Sequence, residues 1–241
     1  AGYVTKKDTI SITENTEKTI TMEKAPESTR KDVSAAWKNF RNSDDNMGIT
    51  SAKTPTSEAT TYEKWFKKLG SGWGAAPSVQ IIVDNSLIVM SANHIYKLDL
   101  NTGDILQTGD MVAATNFGYT PPTYADGMIF APLADGRVQA FNAETLESLW
   151  VYQDTLKGQS LSPITYSDGY IYTGFWNAET KDANYVCIPV TDEDPTNAQE
   201  AKEAAWQYTS LGGFYWAGSV VRGDYVVFGT DDGTSGSDGT G

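Results

Sequence analysis

The chain contains one cysteine, Cys187, and one histidine, His94, in 241 residues. A single thiol excludes an intrachain disulfide, so the fold must rest on packing. A single imidazole offers no thiol–histidine pair, and with Asn93 beside it His94 reads as a turn residue rather than a catalytic one. No glycine-rich phosphate loop is present. No run of 18 apolar residues exists, which excludes a membrane-spanning helix. Positive charge is also scarce: 18 Lys and Arg against 31 Asp and Glu leave a net charge of −13. A nucleic-acid groove needs clustered cations to displace counterions, and this composition argues against one.

What the sequence does have is aromatic residues, at 12%, and regularly placed glycine and proline. Segments beginning Val83-Asp84-Asn85, Ala125-Asp126-Gly127 and Ser167-Asp168-Gly169 align, with Asp84, Asp126 and Asp168 spaced by 42 residues. A fourth copy, Arg222-Gly223-Asp224, follows after a longer step. Asp-Gly between alternating apolar runs is a hairpin signal, because both turn positions want positive φ. Each unit continues through a third strand (95–99, 138–142) and a further turn into a fourth strand. Four short strands per period, with no 3.6-residue apolar pattern, describe the blades of an all-β propeller. About three and a half blades are expected here, within a ring of about seven or eight.

Trp65, Trp150 and Trp206 stand 12 or 13 residues before Pro77, Pro163 and Gly218, which start the next inner strands. These indoles are expected to fill the wedges between blades. Gln107 holds the equivalent place before Pro121, which predicts a weaker junction. Residues 62–66 read as an orphan outer strand that closes a ring. The chain reaches Gly241 within its fourth blade, so further blades are expected, downstream or in another chain.

The flanks differ from the repeats. Residues 1–25 alternate as two strands around a polar turn, and two strands alone bury too little to be stable. They resemble the final hairpin of a regulatory or PEGA-like β-sandwich; a hairpin packed on the propeller is the alternative. Residues 26–60 are a polar linker carrying one ordered patch, and residues 61–241 are the partial propeller. Residues 196–205, in a long third-blade insertion, have helical composition with Asn197 as a cap. Residues 230–241 read as a mobile loop. Asp231, Asp232 and Asp238 among glycines do not follow the spacing of a calcium loop, and Asp44, Asp45 and Asn46 also lack a complete ligand set.

Together these motifs resemble the PQQ-repeat, or quinoprotein-like, propellers. The family's opening Trp, Phe-Arg, Asn and Gly match Trp37, Phe40, Arg41, Asn46 and Gly48. Its apolar-Asp-x-x-Thr-Gly turn matches Leu98 to Gly103, and residues 140–146 keep the Thr but lose the Gly. The resemblance covers roughly residues 37–230 and implies two lives. One is a dehydrogenase holding pyrroloquinoline quinone and calcium, with adjacent cysteines and a carboxylate constellation that this sequence lacks. The other is a non-catalytic recognition or scaffolding module of a secreted or surface-attached bacterial protein. The second is the expectation, with no enzyme activity and no cofactor. A fragment of a quinoprotein dehydrogenase and a carbohydrate-binding propeller are the alternatives.

A ligand is expected at the channel mouth, on the loops before the inner strands. Trp73, Phe117, Gln159 and Phe214 lie four residues before those strands, and Tyr119, Tyr215 and Trp216 are close by in sequence. Trp176 opens the third-blade insertion. These eight residues are the candidate binding set, for a protein or glycan ligand; rings that merely plug the channel are the structural alternative.

Overall fold

The computed structural model describes residues 2–115, 120–216 and 218–235. Phe117, Tyr119 and Asp238 lie outside the described residues.

Strand β1 (Ala35–Trp37) flanks a first blade made of β2 (Ile81–Val83), β3 (Ser86–Ser91), β4 (His94–Asp99) and β5 (Ile105–Asp110). The second blade is β6 (Thr123–Ala125), β7 (Met128–Leu133), β8 (Arg137–Asn142) and β9 (Ser148–Gln153). The third holds β10 (Thr165–Ser167), β11 (Tyr170–Gly174), β12 (Asp182–Pro189) and β14 (Trp206–Leu211), the intervening β13 (Glu200–Lys202) leaving to join the second blade. A two-stranded sheet, β15 (Val220–Arg222) with β16 (Tyr225–Val227), begins a fourth. Each blade is an antiparallel meander, and its first hairpin turns where the repeat expects. Asp126 and Gly127 have φ of 52° and 70°, and Asp168 and Gly169 have 45° and 79°. A positive φ at both positions matches the hairpin turn to the right-handed twist of the strands.

The core lies between blades rather than within them. Ile81, Ile88, Met90 and Ile95 of the first blade meet Ile129, Leu133 and Phe141 of the second. Phe130, Val138 and Trp150 of the second meet Ile171, Phe175, Val186 and Ile188 of the third. Inner strands are also stitched sideways. Thr123 Oγ1 donates to Ile164 O at 2.9 Å, and Thr165 Oγ1 donates to Ser219 O at 2.9 Å.

The tryptophan register has a physical explanation at each junction. Trp150 is fully buried and its Nε1 donates to Val190 O at 3.2 Å, one residue beyond β12. Trp65 does the same to Leu100 O at 3.1 Å, one residue beyond β4. Its indole lies so close over Gly103 that a Cβ there would sit 2.5 Å from the ring, which is why the turn needs glycine. Residues 62–66 form no strand; the indole and Lys64, whose Nζ donates to Asn101 Oδ1 at 2.7 Å, make the dock. At the junction where Gln107 replaces tryptophan, the corresponding carbonyl is Ala143 O, and Lys97 Nζ reaches it at 3.2 Å. The glycine of that turn is replaced by Leu146, held at a φ of 58° with its side chain buried in the first interblade core. Leucine is uncommon in the left-handed region, so burial keeps it there, and it occupies space where the other turn carries an indole. The departure at Gln107 is therefore compensated by two other residues.

Residues 33–48 do not behave as a slack linker. Ala35 and Trp37 pair with β2, Lys38 O accepts from Tyr124 N of β6 at 2.8 Å, and Asn46 Nδ2 donates to Thr165 Oγ1 of β10 and to Ser219 O. The segment thus crosses the inner edges of all four blades. Asn46 is buried at a φ of 54°, a conformation asparagine tolerates better than most residues.

The third-blade insertion corrects the helical expectation for residues 196–205. Asp194 and Asn197 cap a turn, with Asn197 N donating to Asp194 O at 2.9 Å, and β13 then runs parallel to β9, Glu200 opposite Trp150. The open edge of β9 offers a row of unpaired backbone groups, and satisfying them outweighs a local helix preference. Lys202, with a side chain only 2% exposed, is clasped by Glu200 at 2.6 Å and Glu193 at 3.2 Å. The insertion straps the second blade to the third.

The two strands expected in residues 1–25 do not form among the described residues; the segment is an arm that lies against this strap. Tyr3 bridges Lys24, Thr5 donates from N and Oγ1 to Glu193 at 2.9 and 2.8 Å, and Lys7 pairs with Glu203. Burial raises the Glu193 carboxyl, but the bonds from Thr5 and the charge of Lys202 outweigh it, so its pKa falls below the ordinary 4.5. A lowered folded-state value means the contact contributes fully above pH 4.5 and is lost as the pH falls below that through the folded value. Asp192 is raised, by burial ahead of the opposing charge of Arg30, so its protonation offsets part of the loss. The expected outcome is release of residues 3–24 on acidification before the blades melt. Hydrogen exchange of the Val4 and Thr5 amides, which bond to Glu23 O and Glu193, measures it as protection factors at pH 6 and pH 3, and equal protection at both would contradict it.

Candidate functional site

Five of the eight expected residues come together. Trp73, Gln159, Trp176, Tyr215 and Trp216, joined by Leu161 and Glu179, line a cavity of about 600 Å³. Four stretches build it. Trp73 begins a short 3₁₀ turn, Trp73–Ala75, ahead of the first blade. Gln159 and Leu161 precede β10. Trp176 and Glu179 follow β11, and Tyr215 and Trp216 lead toward β15. A smaller cavity of about 330 Å³ adjoins it across Trp73 and Gln159, lined in addition by Asp135, Thr115 and Lys157.

Local geometry fixes these side chains. Gln159 and Trp176 form a two-residue antiparallel bridge, Gln159 N to Trp176 O at 2.7 Å and Trp176 N to Gln159 O at 3.0 Å. Gly158 is needed beneath it, since a Cβ there would lie 2.9 Å from Phe175 Cβ. Trp216 N donates to Leu161 O at 3.3 Å, drawing the fourth stretch onto the second. Trp176 meets Tyr215 edge-on, centroids 6.0 Å apart at 70°, and Tyr215 meets Trp216 at 5.7 Å and 79°. The rings therefore stand as successive walls set near right angles. Trp216 holds a φ of 65° and is 56% exposed. A bulky residue in the left-handed region is strained, and strain of this kind concentrates at binding and active sites.

The polar equipment is sparse and specific. Gln159 Oε1 and Trp176 Nε1 are shielded from solvent and have no hydrogen-bond partner among the described residues. Both atoms belong to residues that line the cavity. The Tyr215 hydroxyl donates to Asp231 Oδ2 at 3.1 Å. Its pKa is raised, by loss of solvation first and then by Asp231, Glu179 and Asp232. The field at the cavity is negative, and no Lys, Arg or His is among the residues lining it.

The structure places Phe214 elsewhere. It is buried, packed edge-on to Tyr185 and Phe228 at 5.2 and 5.7 Å. Leu161 and Glu179 were absent from the expected set: the first reads as a core residue and the second as a solvated charge, and only the neighbouring Trp176 hinted at Glu179. Cys187 is buried, which pushes its thiol up to about 11; a thiol so rarely ionised is a poor nucleophile or ligand. No group of three or more His, Cys, Asp or Glu among the described residues could hold a metal ion.

Comparison with known proteins follows the fold. A comparison with curated proteins gives no match. Among solved structures, the computationally designed Ika4 protein superposes with a TM-score of 0.50 at 16% identity, over 70% of this chain and 96% of that one. A europium-containing methanol dehydrogenase superposes with a TM-score of 0.42 at 20% identity, over 61% of this chain and 27% of that one. BamB from Moraxella catarrhalis gives 0.38 at 10% identity, over 51% and 34%. The chain thus spans about a quarter of the length of the methanol dehydrogenase and about a third of that BamB. Its sequence matches the PQQ_2 family, described as "Outer membrane protein assembly factor BamB", over residues 56–179, just over half of the chain. With its interblade tryptophans and recurring hairpins, this chain belongs to that PQQ-repeat propeller family.

Proposed function

We propose that the chain is a recognition module, a propeller that binds a ligand rather than transforming one, within a surface-attached or secreted bacterial protein. One observation carries the reading: aromatic side chains from three separate stretches converge on one cavity, with a strained Trp216 at its wall and two shielded polar atoms on its lining residues. A cavity of about 600 Å³ suits a small ligand or a single side chain of a partner protein. Within the same reading, residues 1–25 are the last hairpin of a preceding β-sandwich. Ile10, Ile12, Ile20 and Met22 are exposed along its arms, as they would be for a strand pair whose other sheet is supplied by another module.

Replacing Trp216 by glycine separates recognition from architecture, because glycine adopts the required φ without strain. On peptide and glycan arrays the wild-type chain is expected to retain a subset of probes, and Trp216→Gly to lose them. Indifference of every retained probe to Trp216→Gly would overturn the assignment of the site. A rise in melting temperature and a shifted quinone absorbance on adding pyrroloquinoline quinone with calcium would favour the dehydrogenase reading instead.

A further inference from the structure

Resting on the recognition reading, the lining of the cavity narrows the ligand's chemistry. Trp73, Trp176, Tyr215 and Trp216 contribute four aromatic rings, and the pairs whose geometry is fixed meet near right angles. Walls of that kind enclose a compact group instead of stacking one flat face. Tryptophan has the strongest attraction of the aromatic side chains for a cation over its face. Among the described residues Glu179 is the one carboxylate of the lining, Asp231 accepts from the Tyr215 hydroxyl, and no cationic side chain competes from the lining. Lys157 lies in the adjoining cavity, where Asp135 accompanies it.

Three other ligand chemistries fit less well. An anion would face Glu179 and the aspartates without a base to pair with. A flat aromatic or a pyranose ring would use one stacking face and leave the perpendicular walls unused, and a sugar's many hydroxyls would meet only two shielded polar atoms, Gln159 Oε1 and Trp176 Nε1. A primary ammonium is strongly hydrated and loses more on entering an apolar box than one whose charge is spread over methyl groups.

We propose that the cavity of Trp73, Trp176, Tyr215 and Trp216, with Glu179 at its side, binds a quaternary ammonium group. The methyls contact the aromatic walls, and Glu179 supplies the counter-charge. A free small molecule and a trimethylated lysine in a partner protein present the same group, and the probes separate them.

The test is a titration of the full chain, followed by tryptophan fluorescence and by thermal shift, with choline, a trimethyl-lysine peptide, its unmethylated counterpart and 3,3-dimethyl-1-butanol. The last is a neutral isostere of choline. Binding of choline or of the trimethylated peptide is expected to exceed that of its neutral or unmethylated counterpart by about tenfold or more. Glu179→Gln, an exposed substitution, is expected to weaken it severalfold, and Trp216→Gly to abolish it. Equal binding of choline and the isostere would overturn the cation, as would no binding by either cationic probe. The arrays then tell the two readings apart: if probes sensitive to Trp216→Gly remain, recognition stands without the cation, and if none remains, both fail.

Discussion

A Trp150→Ala chain is expected to lose about 3–5 kcal/mol of stability, the range for truncating a large buried aromatic residue. The indole is fully buried in the second interblade core, tilted against Phe130 with centroids 5.8 Å apart. It also serves Val190 O, and truncation would leave that carbonyl without its indole donor inside the fold. Because blades touch chiefly through such wedges, the lost volume cannot be refilled without moving a whole sheet. Trp206 is the internal control. It occupies the same register in the next blade, opposite Cys187 on β12, but is 40% exposed, tilted against Tyr172 and stacked on Tyr185. Trp206→Ala is expected to cost less than half as much. Urea denaturation of both variants decides the matter: equal losses would show that wedge burial is not what holds the second blade to the third.

The second large effect is expected at Asp154, a carboxylate fully buried at the end of β9 without a cationic partner among the described residues. Three donors hold it. Asn184 Nδ2 approaches Oδ1 at 2.9 Å, the Tyr152 hydroxyl approaches Oδ1 at 3.3 Å, and Leu156 N approaches Oδ2 at 2.9 Å. Thr209 Oγ1 extends the network by donating to Asn184 Oδ1 at 2.6 Å, so it reaches the outer strand of the third blade. Desolvation first, and the carboxylate second, hold the Tyr152 proton well above the ordinary tyrosine range, so that hydroxyl stays a donor. Asp154→Ala strands these donors in the interior and is expected to cost about 3 kcal/mol or more. Asp154→Asn retains one acceptor and presents an amide to the remaining donors, so its loss falls between. A loss below about 1 kcal/mol for Asp154→Ala, within the range of ordinary surface substitutions, would contradict this network.

These residues also show what the sequence could and could not disclose. The repeat was legible because its turns are local: Asp126-Gly127 and Asp168-Gly169 demand positive φ wherever they occur, and their spacing repeats with the strands. The tryptophan register was legible for a related reason, since one ring per period is where a wedge needs filling. The compensation at the Gln107 junction was not, because Lys97 and Leu146 act on a carbonyl and a gap that exist only once two blades are packed. The strand Glu200–Lys202 was misread as helical because composition reports the chain's own preference, whereas the edge of β9 that captures it lies some 50 residues earlier. The ordered patch within residues 26–60 was legible, but its path across the inner edges was not, because the first two blades are met through backbone groups and only Asn46 uses its side chain on the third and fourth.

The candidate site was half legible. Offsets from the inner-strand starts pointed to Trp73 and Gln159, and sequence proximity to Tyr215 and Trp216. The same offset pointed to Phe214, which turns into the core with Tyr185 because Gly174 leaves room there: a Cβ on Gly174 would stand 2.4 Å from that of Phe214. No sequence rule distinguishes these two fates for an aromatic residue before an inner strand.

The central claim is that Trp216 is kept in a strained conformation for binding and not for folding. The most direct measurement is the stability of Trp216→Gly by urea denaturation, taken alongside its binding to the probes the wild-type chain retains. Stability is expected to hold or rise by up to about 1 kcal/mol as the left-handed strain is relieved, while binding is lost. A loss of stability beyond about 2 kcal/mol, the scale of a buried side chain, with binding intact would contradict it and return Trp216 to the architecture.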